Sequence, residues 1–256
     1  MFRITSAVFA GFLGLWSVSQ AAQADGITGE AGAGISYQPK EPTGTRYETA
    51  AVPYLDLDWG DVSLSTDDGL SWSALKTNGF SAGPYINYLS RRTSNGALSG
   101  LREVSSMAEV GGFVEYAPAD FWRVYAQLGR AVGGAQGQGG VLGKVGGELG
   151  YPLAGGIIGS SDLMAHFADR RQTNTFFGVS DSEAAASGFR PYNASGGFQN
   201  VTFTQSFEFP LATKWSLLTS ASWVRLVGSA ANSSIVKQAG EVNQSQVQTA
   251  ISYKFN

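Results

Sequence analysis

The sequence predicts an all-β fold, an antiparallel, up-and-down transmembrane β-barrel of about twelve strands, with ten as the alternative. Three observations predict it. Apolar and polar residues alternate over long runs, and the 34 glycines are spread among Tyr, Phe, Trp, Val, Ser and Thr instead of being gathered in linkers. The polar faces of the alternating runs carry Ser, Thr, Gln, Gly and scattered charges, not the Lys and Glu of a water-facing surface.

Alternation is clearest toward the C-terminus. From Asn243 to Phe255 the odd positions grow apolar through Val247, Ile251, Tyr253 and Phe255, while the even ones hold Gln244, Gln246, Gln248, Ala250, Ser252 and Lys254. From Trp215 to Trp223 the odd positions are Trp, Leu, Thr, Ala and Trp; Ser216, Ser220 and Ser222 point the other way, with Leu218 the exception. Eight residues at ~3.3 Å each, tilted by ~40°, put Trp215 and Trp223 ~20 Å apart along the membrane normal. They are therefore expected at opposite edges of an apolar band, in an aromatic girdle with Tyr253 and Phe255. Val201, Phe203, Phe207 and Phe209 likewise oppose Asn200, Thr202, Thr204, Ser206 and Glu208, although Gln205 falls on the apolar side. A soluble β-sandwich also alternates. Its outer face would be rich in Lys and Glu, and that difference decides for the membrane.

Before the strands comes an export signal. Arg3 supplies its charge, Ile4 to Val18 its apolar run and Ala22 to Ala24 a small-x-small cleavage pattern, so cleavage is expected near Ala24 and residues 25–256 form one barrel domain. The run falls short of the ~20 residues of a membrane-spanning helix. The chain has no cysteine, which excludes disulfides and a lipid-modified N-terminal cysteine. Its 17 Lys and Arg against 20 Asp and Glu give no reason to expect nucleic acid.

Turn signals divide the mature chain into strands at 27–37, 46–58, 60–66, 69–76, 79–91, 104–117, 121–133, 138–152, 157–178, 196–209, 213–227 and 242–255. The third and fourth depend on whether Thr66 to Gly69 is a turn or a bend inside one strand. An even count keeps both termini on the periplasmic side. It leaves the short connections at Ala117 to Asp120, Leu153 to Gly156 and Leu211 to Lys214 there. The long ones, Arg92 to Glu103, Ser180 to Ser195 and Gly228 to Glu241, then face outward.

The stretch from Phe176 to Val201 carries a family likeness. Phe177, Gly178, Val179, Ser180, Ser187, Gly188, Tyr192 and Gly197 resemble the signature of the MltA-interacting protein (MipA)/OmpV family of Gram-negative outer-membrane proteins, and the block from Arg46 to Trp72 is similar to that family's second to fourth strands. The resemblance implies an outer-membrane barrel in contact with outer-membrane lipids. It also implies a scaffold that docks a periplasmic lytic transglycosylase and a peptidoglycan synthase; other members are described as porin-like or adhesive. The leading expectation is a non-enzymatic, monomeric docking scaffold, with a small diffusion channel or a surface adhesin as alternatives. Val179 to Ser195 is expected to be an extracellular lid with a helical turn over Ser182 to Ala186, packed on the mouth by Phe189 and Tyr192.

The chemistry sought in the sequence is sparse. His166, the only histidine, points inward with Asp162, but no serine is marked as a nucleophile, and a hydrogen-bonded lumen histidine is the better reading. No spacing suggests a metal. The glycine run from Gly137 to Gly147 fails the phosphate-loop pattern at Gln138 and Val145, so no cofactor is expected. Strand register points Glu109, Glu115, Arg123, Lys144, Glu148, Asp162, His166, Glu208 and Lys254 into the lumen. Mixed signs at this density favour ion pairs that partly fill the interior over an open selectivity pore.

Overall fold

A computed structural model describes residues 26–255; the expected export signal and Asn256 lie outside them. The strands are β1 (Ile27–Pro39), β2 (Tyr47–Trp59), β3 (Val62–Ser65), β4 (Gly69–Trp72, continued by Leu75–Thr77), β5 (Phe80–Leu89), β6 (Met107–Ala119), β7 (Trp122–Val132), β8 (Val141–Pro152), β9 (Ile158–Ala168), β10 (Gly197–Ala212), β11 (Trp215–Leu226) and β12 (Asn243–Phe255). Each pairs antiparallel with its neighbour in sequence. The last pairs with the first, Phe255 opposite Gly29 through Val247 opposite Tyr37, and the sheet is a closed twelve-stranded barrel.

The doubtful third and fourth strands are separate. Gly69, at φ +73°, makes the turn that a single strand could not. A bulge then divides β4, because Ser71 lies opposite Tyr85 and Leu75 opposite Ala82, four residues against three. Pro84, which has no N–H, falls in the irregular part of β5.

The alternation sorts onto two faces as the sequence expects. Trp215 and Trp223 are about half exposed on the lipid side, as are Val247 and Ile251, while Leu218 is buried inside against Tyr54 and Ala250. Gln205 is the polar exception on the lipid face. Its amide donates to Tyr151 Oη (2.8 Å) and Ser160 O (2.7 Å) and accepts from Ser161 Oγ (2.8 Å), which lowers the cost of exposing it to hydrocarbon.

One element differs from expectation. The strand predicted over 157–178 stops at Ala168, and Arg170–Phe177 form helix α1. Asp169 is the cause: its Oδ1 accepts from Gln172 N–H (2.7 Å), the N-cap geometry that starts a helix, and its Oδ2 accepts from Val141 N–H (2.9 Å). Phe176 and Phe177 are thereby turned from a strand face into a cluster with Val104, Met107, Leu226 and Val236.

That cluster belongs to a cap over one end of the barrel, built from the long connections. Helices α2 (Asp181–Ser187), α3 (Gly228–Ala231) and α4 (Ser234–Ala239) complete it, and a second cluster joins Leu98, Leu101, Val179, Phe189 and Ile235. Tyr192 packs on both clusters and donates to Ser229 O (2.8 Å). The ionic centre is Glu183. It closes the capping box with Ser180 at the start of α2 and takes Arg102 in a fork, Nε at 2.8 Å and Nη2 at 2.7 Å, plus the Arg102 backbone N–H at 2.8 Å. Arg92, fully buried, donates to the carbonyls of Phe176 and Arg102. Burial, with Arg102 nearby, lowers it to about 10, so it stays charged at neutral pH.

Burial pushes the Glu183 carboxyl up, but the hydrogen bonds from Arg102 and Ser180 outweigh it and hold the group at about 2. Its stabilising contribution is present above the ordinary glutamate value and is lost as pH falls through about 2. The wild-type cap is therefore expected to resist pepsin at pH 4 and to be cut near pH 2. Glu183→Gln and Arg102→Ala are expected to be cut at pH 4, read as the rate of fragment appearance from the folded barrel.

Candidate functional site: the charged lumen

Inward parity places Glu109, Glu115 (β6), Arg123 (β7), Lys144, Glu148 (β8), Asp162, His166 (β9) and Glu208 (β10) on the lumen face. Lys254 shares that parity at the exposed lower rim. The structure joins only some of them. Arg123 donates through Nη1 to Glu115 (2.8 Å) and through Nε to Glu148 (2.9 Å), one planar fork between two carboxylates. Glu109 is held by the Tyr85 hydroxyl, Asp162 by Tyr125 Oη (2.9 Å) and Glu208 by Ser216 Oγ (2.7 Å). Hydroxyls, not cations, hold these three. His166 Nδ1 meets Asn200 Oδ1 at 2.9 Å, and Asp162 has a different partner, so the two do not form a relay.

The residue that organises the site was not singled out in the sequence. Asp68 sits in the turn between β3 and β4, and its N–H is held by Ser65 Oγ (2.9 Å). The hairpin is only four residues tall on each side, so this turn lies within the height of the wall instead of at its rim. From there Asp68 Oδ1 accepts from Lys144 Nζ (2.6 Å) and Gln127 Nε2 (3.2 Å), and Oδ2 lies 3.8 Å from Arg123 Nη1. Around the wall, β5, β6 and β7 stand between that turn and Lys144, so the bond crosses the interior. Tyr125 reaches across β8 to Asp162 because residue 146 is glycine; a Cβ there would lie 2.5 Å from the Tyr125 oxygen. Arg123 also lies over the Tyr125 ring, 4.7 Å from its centre.

The signature residues stand apart from this network, in the cap. Phe177 ends α1, Gly178 follows it, Val179 bridges to Tyr192 with both bonds at 2.8 Å, Ser180 caps α2, and Ser187 and Gly188 end it. Phe189 is buried beside Val179, and Gly197 opens β10. Of the aromatic residues, Trp215, Tyr253 and Phe255 form one edge-to-face row at the short-turn end, with ring centres 5.1 and 5.3 Å apart, and Trp223 lies at the other end of β11. Among the described residues no group of three or more His, Asp or Glu is placed to hold a metal.

Asp68 and Tyr125 were legible only in part. Asp67-Asp68-Gly69 is a turn signature, and Tyr85 and Tyr125 share inward parity with Glu109 and Arg123. What the sequence lacks is the height of the turn, which depends on how far β3 climbs along β2.

No curated protein matches the sequence. Among solved structures, the N-terminal β-barrel domain of Pseudomonas aeruginosa OprF matches at 9% identity over 70% of this chain and 98% of that one, with a TM-score of 0.25. The outer membrane protein OprD of Pseudomonas aeruginosa matches at 14% identity over 92% and 66%, with a TM-score of 0.39. The Ralstonia pickettii toluene transporter TbuX matches at 12% identity over 91% and 90%, with a TM-score of 0.36. Scores and identities this low say nothing about shared function. The family model described as MltA-interacting protein MipA matches residues 31–255, nearly the whole barrel, and the chain belongs to that family of Gram-negative outer-membrane proteins.

Proposed function

We propose that this outer-membrane barrel is a narrow, gated diffusion channel and not an enzyme. The observation that carries the reading is the Asp68 turn, a carboxylate on a four-residue hairpin that spans the lumen to Lys144. Short turns face the periplasm and long loops the exterior in such barrels, so the cap is the extracellular door and Asp68 the inner latch. The latch is an ion pair between side chains 12% and 15% exposed, so opening it exchanges one polar contact set for another instead of displacing a packed apolar plug. Signal cleavage near Ala24 and a monomeric barrel belong to the same reading.

A docking scaffold for a lytic transglycosylase and a peptidoglycan synthase is the second reading, favoured by the family description. The periplasmic side supports it less, because among the described residues that rim consists of short turns such as Gly60–Asp61 and Thr213–Lys214. Crosslinking in intact cells followed by purification of the barrel tests it; specific enrichment of either enzyme class would favour docking.

In planar bilayers the wild-type barrel is expected to open rarely. Asp68→Ala frees Lys144 from its carboxylate partner, and open probability is expected to rise several-fold with a shift toward anion selectivity. Arg123→Ala removes the fork between Glu115 and Glu148 and is expected to shift selectivity toward cations. Silence from wild type and both variants, in barrels that remain folded, would refute the channel.

A further inference from the structure

The lipid face of β7 ends on a charge. Arg130 is exposed and shares the outward parity of Trp122, Val124 and Leu128. Its lateral partners are Val110 on β6 and Val141 on β8, and Leu128 and Val132 flank it along the strand; all four are apolar and 39–55% exposed. A charge on this face is tolerated near the interface and costly at the midplane. Eight residues separate Arg130 from Trp122, the same span as Trp215 to Trp223, ~20 Å along the normal. Trp122 lies edge-on to Tyr116 at the short-turn end, ring centres 5.7 Å apart. With the long-loop cap outward, as in such barrels, Arg130 therefore stands at the upper edge of the apolar band, level with outer-leaflet headgroups.

Two further arginines stand beside it. Val141, the β8 partner of Arg130, donates its N–H to Asp169 Oδ2 (2.9 Å) and accepts from Asp169 N–H (2.8 Å), so the exposed pair Arg170 and Arg171 begins two strand spacings from Arg130, ~10 Å. Arg171 Nη2 donates to Gln138 O (3.0 Å) in the loop that follows β7. None of the three arginines has a carboxylate partner among the described residues. The carboxylates on neighbouring segments are engaged elsewhere: Asp169 takes the N–H groups of Val141 and Gln172, and Glu103 takes Ser94 N–H (3.0 Å) and Oγ (2.9 Å). Elsewhere in the cap the arginines are paired, Arg46 with Glu41 and Arg102 with Glu183. The counter-charge for an arginine ringed by valine and leucine has to come from outside the chain.

We infer that Arg130, Arg170 and Arg171 form a docking site for an outer-leaflet amphiphile whose headgroup carries a phosphate monoester. Three guanidiniums against the Asp169 carboxylate leave a net charge of +2. A phosphate monoester, at about −1.5 to −2, balances it, whereas a carboxylate or a phosphodiester balances half. Guanidinium forks also match phosphate oxygens in shape. The apolar ground around Arg130 selects a lipid phosphate over a free one, because only an amphiphile covers the valines while it neutralises the charge. Its acyl chains lie below, on Val132, Val141 and the edge-to-face pair of Phe167 and Phe198, with ring centres 6.1 Å apart and Phe198 55% exposed. Phe167 already covers Gly143, where a Cβ would fall 2.6 Å from its ring, so this part of the wall is smooth.

The probe is bisphosphorylated lipid A, added to the full barrel in detergent and read by native mass spectrometry as lipid retained per barrel. Its dephosphorylated form, phosphatidylglycerol and inorganic phosphate are the other arms. Saturable retention of lipid A is expected, with the dephosphorylated form and the phosphodiester each about tenfold weaker, the worth of a charge-assisted contact. Arg130→Gln is expected to weaken retention about tenfold and the triple replacement of Arg130, Arg170 and Arg171 by Gln to abolish it, in barrels that keep their heat-modifiable mobility. Arg225→Gln is the control, because Arg225 also faces outward near the cap but already donates to Asn243 Oδ1 (3.2 Å); retention there is expected to stay unchanged. Equal retention of the dephosphorylated lipid, indifference to the triple replacement, or an equal loss in Arg225→Gln would overturn the site. Displacement of lipid A by inorganic phosphate would reassign it to a free ion, and equal retention of phosphatidylglycerol would overturn the monoester. None of these outcomes depends on whether the barrel conducts.

Discussion

Backbone groups inside a bilayer have no water to turn to, so a membrane sheet must close on itself. In this chain closure runs through its weakest member, β4, where Leu70 and Ser71 meet Ile86 and Tyr85 on β5 and a bulge separates them from Leu75 to Thr77. Apart from the equally short β3, the remaining strands pair over long ladders. Each consequential feature of the interior stems from how this one joint is made.

Because β3 and β4 are short, their turn is delivered into the barrel instead of over its rim, and Asp68 finds cations that no neighbouring strand supplies. The same shortness removes wall above the turn: all 13 residues of β2 pair with β1, but only Asp56 to Trp59 pair with β3. One local economy thus creates both the bond that spans the lumen and the gap beside it, and the lumen divides into a charged side on β6 to β9 and an apolar row, Leu218, Ala250, Gly34 and Val52, on β11 to β2. The charged side is satisfied with few cations. Arg123 and Lys144 pair with Glu115, Glu148 and Asp68, while hydroxyl groups hold Glu109, Asp162 and Glu208, an arrangement that solvates carboxylates without requiring more buried positive charge.

The cap answers a different need. Long connections over a barrel mouth would be loose individually, but here they share two apolar clusters and a buried Arg92 whose hydrogen bonds end on Phe176 and Arg102. The family signature lies in this part because its residues have backbone tasks: Ser180 and Glu183 start α2, Gly188 at φ +79° ends it, and Val179 and Tyr192 tie its two flanks together.

The sequence by itself determined the barrel, its inward and outward faces and its strand count, because a period of two that must satisfy lipid on one side leaves little freedom. It misread Arg170 to Phe177 as the continuation of a strand over 157–178, where the cap of Asp169 decided for a helix. Partner choice within the lumen, the height of the Asp68 turn and the open edge of β2 came only with the tertiary structure. They depend on distances across the barrel and on where one strand stops along another, and periodicity carries neither.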